Sequence, residues 1–160
     1  IVFGDWSSDV CSSDLYSRSG RCEALAEAIA TGLEEAGLEP KLVPAEQLGP
    51  GELRQVKGLA AGSPAYFSNM AWPVKKLIDE SIQLYGGREL AGVPFLAFAT
   101  AGCERDGQKT LELLQVAFAF HHEMADMGSV LALDSEPSTT SAARAREAGL
   151  ALGKAILDRG

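Results

Sequence analysis

The sequence predicts an α/β domain built on a parallel sheet with helices on both of its faces. Strand-like segments alternate along the chain with amphipathic segments of ten or more residues, and this alternation is typical of parallel strands joined by crossover helices. The run 93–100, VPFLAFAT, is almost wholly apolar, as expected of a strand buried on both sides. A length of 160 residues is enough for one such domain with a sizeable core.

The first predicted elements follow one another after residue 22. Residues 23–36 are predicted to form a helix, because apolar side chains recur there at helical spacing and Gly37 follows as a C-terminal cap. Residues 41–44 and 56–61 are predicted to be short strands, and Pro44 ends the first of them.

The second half of the chain continues the alternation. A helix is predicted to begin near Trp72, since Pro73 is tolerated in a first helical turn. After the apolar strand come a helix, a short strand and a final helix, over residues 110–127, 130–133 and 141–157.

Three polar, glycine-containing loops each follow a predicted strand. They comprise residues 17–22, 62–71 and 100–108. In open α/β sheets, ligands bind beyond the carboxyl ends of the strands, so the three loops are predicted to lie together at one site.

The first of these loops, SRSGRC, has the composition of a phosphate cradle. It runs directly into a helix, whose unpaired N–H groups and dipole favour an anion. Its further contributions are the hydroxyls of Ser17 and Ser19, the permissive backbone of Gly20 and the positive charges of Arg18 and Arg21. An ordinary helix cap of serine and glycine would have the same composition, so this stretch alone leaves both interpretations open.

Together the loops resemble those of the flavodoxin superfamily, over about residues 15–158. The phosphate loop of that superfamily has the form T/S-x-T/S-G-x-T, and Cys22 replaces its last hydroxyl residue. Residues 62–70, GSPAYFSNM, resemble the G-S-P-x-Y-F-x-N-M loop of the flavodoxin-like quinone and flavin reductases. Residues 100–103, TAGC, and the turn that follows to residue 108 resemble the second flavin loop.

The resemblance implies a flavodoxin-like three-layer sandwich with five parallel strands in the order 2-1-3-4-5. It is of the short-chain type, because residues 130–133 pass to the last helix without a long insertion. The resemblance also implies FMN as cofactor, NAD(P)H as electron donor and a quinone or similar small molecule as acceptor. The alternative is a flavodoxin in the narrow sense, a non-enzymatic electron carrier that docks a basic redox partner. A monomer or a simple dimer is expected.

The resemblance places cofactor contacts in all three loops. The predicted FMN-binding residues are Ser17, Arg18, Ser19, Gly20, Arg21, Cys22, Pro64, Ala65, Tyr66, Phe67, Ser68, Asn69, Thr100, Ala101, Gly102 and Cys103. An aromatic wall made by Tyr66 or Phe67 suits the flat apolar ring system; the alternative is that one of these rings packs on the following helix. No catalytic acid or base and no metal ligand is predicted, since a flavin carries the redox chemistry itself.

Composition and missing motifs argue against several other classes of protein. A net charge of −8 disfavours nucleic-acid binding, and the sequence has no apolar run long enough for membrane insertion. Three isolated cysteines without C-x-x-C spacing fit a reduced, cytoplasmic setting. A receiver domain would need an acidic residue at the end of the third strand, and a serine hydrolase would need a G-x-S-x-G turn; neither is present.

The start of the chain does not fit the first strand of this architecture. Residues 5–15, DWSSDVCSSDL, contain a five-residue repeat that matches neither strand nor helix periodicity. Burying Asp9 or Asp14 without a partner would cost several kcal/mol. The segment resembles a translated sequencing adaptor, so residues 1–14 are predicted to be a non-native leader and residues 15–160 the single FMN-binding domain. An acidic metal loop or a serine-rich regulatory tail are the alternatives.

Two further sets of residues have more than one interpretation. Cys22 and Cys103 are candidate redox-active thiols, although Cys22 is more simply a small buried residue in place of threonine. His122 and Asp126 are four apart and would share a helix face, where they could bind a metal; a solvated surface is the simpler interpretation.

Overall fold

The computed structural model describes residues 20–159. Strands and helices alternate through this range. In chain order the elements are α1 Arg21–Glu35, a 3-10 turn Ala45–Gln47, α2 Pro50–Leu53, β1 Leu59–Tyr66, β2 Asn69–Met70, α3 Trp72–Glu80, α4 Ile82–Tyr85, β3 Pro94–Ala101, α5 Glu104–Gln115, a π-helical turn Val116–His121, β4 Ala125–Leu133 and α6 Ser138–Leu157.

The described sheet has the strand order β2-β1-β3-β4. The strands β1, β3 and β4 are parallel, with Leu59 opposite Phe95 and Pro64 opposite Thr100 in the first pair. The two-residue strand β2 is antiparallel to β1. The α/β class with parallel strands is therefore confirmed, but the described sheet is a mixed sheet of four strands rather than five parallel ones. The predicted first strand lies outside the described residues.

Helices cover both faces of the sheet, and the neighbours of two successive β4 residues show which helices lie on which face. Leu131 faces α5, since a Cβ on Gly107 of that helix would lie 2.3 Å from its side chain. The next residue, Ala132, shares a cavity with Arg21 of α1 and Ser141 of α6. Successive strand residues point to opposite faces, so α1 and α6 lie on one side of the sheet and α5 on the other. All eight residues of β3 are buried between these layers, as the apolar run predicts.

Two predicted strand boundaries are wrong. Residues 41–44 form no continuous strand; isolated bridges lie at Pro40 and Leu42, and Pro44 has no N–H with which to extend them. Strand β1 continues to Tyr66 although a loop was predicted from Gly62 onwards. Gly62 does not break the strand: a Cβ there would lie 2.1 Å from the ring of Phe98, so glycine permits close packing within the sheet.

The predicted helix 110–127 is also wrong at both ends. It begins earlier, at Glu104, and after the π-helical turn the chain leaves the helical conformation at Glu123, whose φ is 55°. The N–H of Ala125 then donates to the carbonyl of Val93 and starts β4. His122 and Asp126 therefore do not share a helix face, and the Asp126 carboxylate accepts a hydrogen bond from Gln115 instead. Apolar residues at helical spacing continue into β4, which explains the error.

A buried hydrogen bond joins α3 and α4 to the end of the π-helical turn. The Ser81 hydroxyl donates to the carbonyl of Ile78 at 2.7 Å, and its oxygen lies 2.8 Å from Nε2 of His122. With the hydroxyl proton directed to Ile78, the arrangement favours Nε2–H of His122 as the donor to Ser81. The buried Nδ1 of His122 has no hydrogen-bond partner among residues 20–159.

We expect His122 to make the stability of the protein depend on pH. Burial lowers the pKa of His122 below its usual 6.5, and the charge of neighbouring His121 lowers it further. The unfolded chain therefore binds a proton before the folded chain does, so the free energy of unfolding should fall as pH drops below 6.5. The slope cannot exceed about 1.4 kcal/mol per pH unit, the limit for one proton.

Urea unfolding of the wild type and of His122→Phe between about pH 7 and pH 5 tests this expectation. The variant keeps the Ser81–Ile78 hydrogen bond and should show a flatter profile in that range. Equal slopes for the two proteins would show that His122 titrates normally.

None of the helices in the described part of the chain combines the length and the apolar character needed to cross a membrane.

Candidate functional site

The carboxyl ends of the three parallel strands and the start of α1 meet at one edge of the sheet. Pro64 of β1 pairs with Thr100 of β3, and Ala101 pairs with Leu133 at the end of β4. The N–H of Asp134 donates to the carbonyl of Ala101 at 2.9 Å, which closes this edge. The structure thus brings together the described parts of all three predicted loops.

The start of α1 is fixed to the end of β4 by Arg21. Its Nη2 donates to the carbonyl of Leu133 at 2.6 Å, and its Nη1 lies 3.1 Å from Oδ1 of Asp134. The guanidinium that was predicted to be a phosphate ligand is therefore shared with a carboxylate. Its positive charge also orients the helix start, a positioning role that the sequence pattern did not predict.

The rest of the phosphate loop is described only in part. Gly20, the N-cap of α1, has a φ of 69°, a left-handed conformation that glycine adopts without strain. Cys22 is completely buried in the first turn and belongs to the hydrophobic core, as its interpretation as a small buried residue predicts. Ser17, Arg18 and Ser19 lie outside the described residues.

The second loop is a tight hairpin rather than an open loop. Pro64, Ala65 and Tyr66 end β1, and Asn69 begins β2. The two turn residues both have positive φ, 53° at Phe67 and 61° at Ser68. This is the backbone of a type I′ turn, in which glycine and asparagine are usual. The backbone is therefore strained at both of these residues. The Phe67 ring is completely exposed.

Ser63 holds the base of this hairpin together. Its buried hydroxyl accepts a hydrogen bond from the N–H of Ala71 at 2.7 Å and donates to the carbonyl of Pro64 at 2.9 Å. The residue belongs to the motif GSP, yet its role depends on Ala71 folding back beside β1. Ser63 is not one of the predicted FMN contacts.

Asp106, which lies within the predicted third loop but is not one of the predicted FMN contacts, joins the hairpin to α5. Ser68 Oγ donates to Asp106 Oδ1 at 2.6 Å, and Arg105 Nη2 lies 3.1 Å from the same oxygen. The hydrogen bond from Ser68, followed by those from Arg105 and Cys103, lowers the pKa of Asp106 below its ordinary value. The carboxylate in the first turn of α5 thereby fixes the position of the strained turn.

We expect Ser68→Ala to raise the pKa of Asp106 towards its ordinary value, because the variant removes the strongest hydrogen bond to the charged form. A ¹³C NMR titration of the Asp106 carboxyl carbon measures this pKa. Ser68→Thr keeps the hydroxyl and should keep the low pKa. An unchanged pKa in Ser68→Ala would show that Arg105 and Cys103 suffice.

The third loop is shorter than predicted, because α5 begins at Glu104. Thr100 and Ala101 are buried as the end of β3, which leaves Gly102 and Cys103 exposed between strand and helix. A Cβ on Gly102 would lie 3.7 Å from Oδ2 of Asp134, so the third loop borders the carboxylate that pairs with Arg21 of α1.

This edge offers two different chemical environments side by side. The hairpin presents an exposed aromatic ring, while the start of α1 carries the positive end of a helix dipole. A flat apolar ring system joined to an anionic tail matches that combination.

A family model described as NADPH-dependent FMN reductase matches residues 51–138. An NAD(P)H dehydrogenase (quinone) of Paracoccus denitrificans (strain Pd 1222) is 32% identical over 115 residues, which cover 59% of this chain and 55% of that protein. A flavodoxin of Clostridium saccharobutylicum is 34% identical over 91 residues, which cover 56% of this chain and 54% of that protein. The chain thus spans little more than half the length of these relatives.

Solved structures show the same fold at low sequence identity. A flavodoxin from the domain Archaea superposes with a TM-score of 0.72 at 22% identity, covering 88% of this chain and 94% of its own. A WrbA-like flavodoxin from Agrobacterium tumefaciens gives a TM-score of 0.70 at 21% identity, covering 90% and 94% respectively. The predicted flavodoxin-like fold is therefore confirmed.

Proposed function

The chain belongs to the NADPH-dependent FMN reductase family, and from this we propose that it binds FMN and transfers electrons from NAD(P)H to a quinone or similar small acceptor. The observation that carries the proposal is the strained hairpin turn held by Asp106 beside the start of α5. Strain of this kind persists where the surrounding structure enforces it, and it is concentrated at ligand sites.

We assign the isoalloxazine ring to the hairpin and the third loop. The Phe67 ring, which contributes nothing to the core, would contact one side of the flavin. Backbone groups of Pro64–Asn69 and Thr100–Cys103 would contact its polar edge, since hydrogen bonds there tune the potential of a flavin. Ser63 and Asp106 act as positioning residues, because they hold the two loops and not the ring.

The phosphate is assigned to the start of α1. The proposed ligands are the side chains and backbone of Ser17, Arg18, Ser19, Gly20, Arg21 and Cys22. The thiol of Cys22 lies in the hydrophobic core, so it is not one of the groups that would contact the phosphate. Arg21 would serve both Asp134 and the phosphate, which keeps the first turn of α1 in place when an anion binds.

When bound, FMN supplies the hydride-accepting and electron-transferring chemistry. The residues described above would bind and orient the ring. A non-enzymatic electron carrier is the second candidate, favoured by the net charge of −8, which would attract a basic redox partner.

An FMN titration followed by flavin fluorescence tests the cofactor assignment, with riboflavin as the matched ligand that lacks only the phosphate. We expect saturable quenching by FMN and at least about tenfold weaker binding of riboflavin, because several charge-assisted hydrogen bonds are lost. A folded chain that quenches neither ligand would overturn the proposal. Steady NAD(P)H oxidation with a quinone supports the reductase, whereas reduction only through a separate reductase protein supports the carrier.

The same titration tests the proposal that residues 1–14 are a non-native leader. A version of the chain with an apolar strand over residues 6–15 should bind FMN more tightly and unfold at a higher temperature, because a central strand then replaces the charged segment. Equal affinity and equal thermal stability of the two chains would contradict the leader proposal.

A further inference from the structure

A groove runs along one side of α5 and begins at the hairpin of the proposed flavin site. Ser68 of the hairpin lines its near end, and Gln115, the last residue of α5, lines its far end. Its volume is about 520 Å³, within the range of small-molecule pockets. Between the two ends it is lined by Arg105, Gln108, Lys109 and Glu112.

The lining residues of α5 lie on one face of the helix. They are spaced by three and four residues, and the opposite face buries Gly107, Leu111 and Leu114. Helix residues four apart have Cβ atoms about 5–6 Å from one another. The side chains of Arg105 and Lys109 can therefore reach the same bound group, nearest the hairpin end of the groove.

Both cations have hydrogen-bond donors left for a ligand. Nε and Nη2 of Arg105 lie 3.2 and 3.1 Å from Oδ1 of Asp106, which engages two of the five N–H donors of a guanidinium. Lys109 Nζ donates one of its three protons to Glu112 at 2.7 Å. The Arg105 side chain is 85% exposed. The carboxylates thus orient the two cations and leave them able to bind an anion.

The chemistry of the lining fits a phosphorylated nucleoside. All six lining side chains are polar or charged, and two are cationic while one is anionic, in a chain whose net charge is −8. Two cations on adjacent turns match one phosphate, because charge-assisted hydrogen bonds are the strongest that side chains make. The amides of Gln108 and Gln115 can donate to and accept from a purine base or a ribose.

We propose that this groove binds the 2′-phosphoadenosine half of NADPH, with the 2′-phosphate between Arg105 and Lys109. The inference rests on the proposed function, since the donor must bring its nicotinamide to the flavin and the groove begins at the hairpin assigned to that ring. NADPH differs from NADH only in this phosphate. The chain should therefore select NADPH over NADH.

Glu112 should act on this selectivity in the opposite direction to Lys109. In nucleotide-binding folds a carboxylate accepts a hydrogen bond from the ribose 2′-hydroxyl of NADH, whereas a basic side chain accommodates the 2′-phosphate of NADPH. Glu112 is bonded to Lys109 and lines the same groove. If the pair served only to stabilise α5, loss of either partner would have the same effect. Opposite effects of the two substitutions on nucleotide selectivity are expected only if both face the ligand.

Isothermal titration of the full chain with 2′,5′-ADP, and with 5′-AMP as the ligand that lacks the 2′-phosphate, tests the site. We expect 2′,5′-ADP to bind at least about tenfold more tightly than 5′-AMP. Lys109→Ala should lower this ratio at least about threefold, and Glu112→Gln should raise it, because both groups act on the phosphate through exposed charges.

Lys76→Ala is the matched control. Lys76 of α3 and Lys109 have the same side-chain exposure, 49%, and each is paired with a glutamate on its own helix. Lys76 lies outside the groove, so its replacement should leave the ratio unchanged. Circular dichroism of each variant establishes that it is folded.

Steady-state kinetics with FMN extends the test to the whole donor. In Lys109→Ala the ratio of kcat/KM for NADPH to that for NADH should fall by the same factor as the ratio of affinities, while the affinity for FMN stays that of the wild type. Equal binding of 2′,5′-ADP and 5′-AMP by the wild type would overturn the inference, and so would an unchanged ratio of affinities in Lys109→Ala.

The nucleotide titrations need no flavin, which separates this inference from the proposed function. A chain that binds FMN without preferring 2′,5′-ADP would contradict only the inference about the groove. A folded chain that prefers 2′,5′-ADP but binds no FMN would contradict the proposed function and support the nucleotide site.

Discussion

Gly149→Ala is expected to destabilise the protein by about 3 kcal/mol or more, although alanine is the better helix former. Gly149 lies in α6 where that helix crosses α1, and a Cβ there would lie 2.1 Å from the carbonyl oxygen of Ile29. Gly32 of α1 makes the reciprocal contact, with a Cβ 2.0 Å from the carbonyl oxygen of Arg146. Both obstacles are backbone atoms, so the helices must separate and lose packing along their length.

Helix propensity alone predicts that Gly149→Ala stabilises the protein, so the sign of the measured change in the free energy of unfolding distinguishes the two effects. Replacing glycine by alanine inside a helix stabilises it by about 1 kcal/mol when nothing is in the way. Gly51 of α2 has open space where a Cβ would be, so Gly51→Ala is the matched control and should be neutral or slightly stabilising. Guanidinium unfolding measures both variants. A Gly149→Ala variant as stable as the wild type would mean that α1 and α6 do not cross so closely.

The helix crossing also shows where prediction from sequence ends. The apolar spacing that predicts α1 and α6 is local, so both helices could be located to within a few residues. That Gly32 and Gly149 face one another depends on how two helices separated by more than 100 residues pack together. The end of the π-helical turn could not be predicted from sequence either. The apolar residues before Met124 continue at helical spacing, and no local sequence signal marks the start of β4.

The candidate site also has one part that could be predicted from sequence and one part that could not. The three loops could be predicted to meet, because the carboxyl ends of parallel strands share one edge of a sheet. The positioning roles of Ser63 and Asp106, which lie within the predicted loops, could not be predicted, since their partners Ala71 and Ser68 come near them only through the folding of the hairpin. Glycine and proline in GSP predicted a loop, whereas close packing against Phe98 keeps these residues in β1.

Phe67→Gly is expected to stabilise the protein and at the same time to weaken FMN binding. The phenylalanine has a φ of 53°, a left-handed conformation that costs a non-glycine residue about 1–2 kcal/mol and glycine almost nothing. Its ring is completely exposed, so the substitution removes no core packing. Allowing for the greater freedom of glycine in the unfolded chain, the free energy of unfolding should rise by about 0.5–1 kcal/mol.

The same substitution, Phe67→Gly, should weaken FMN binding. Loss of an aromatic ring stacked on a flat heterocycle removes about 1–3 kcal/mol, so the dissociation constant for FMN should rise at least about tenfold. Phe67→Ala separates the two effects: it removes the ring but leaves a side chain in the left-handed conformation, so FMN should bind as weakly while stability stays near that of the wild type. Urea unfolding and fluorescence titration on the same preparations give both quantities. If Phe67→Gly gains stability and binds FMN like the wild type, the turn is strained for a reason other than the flavin, and Tyr66 alone would remain as its aromatic contact.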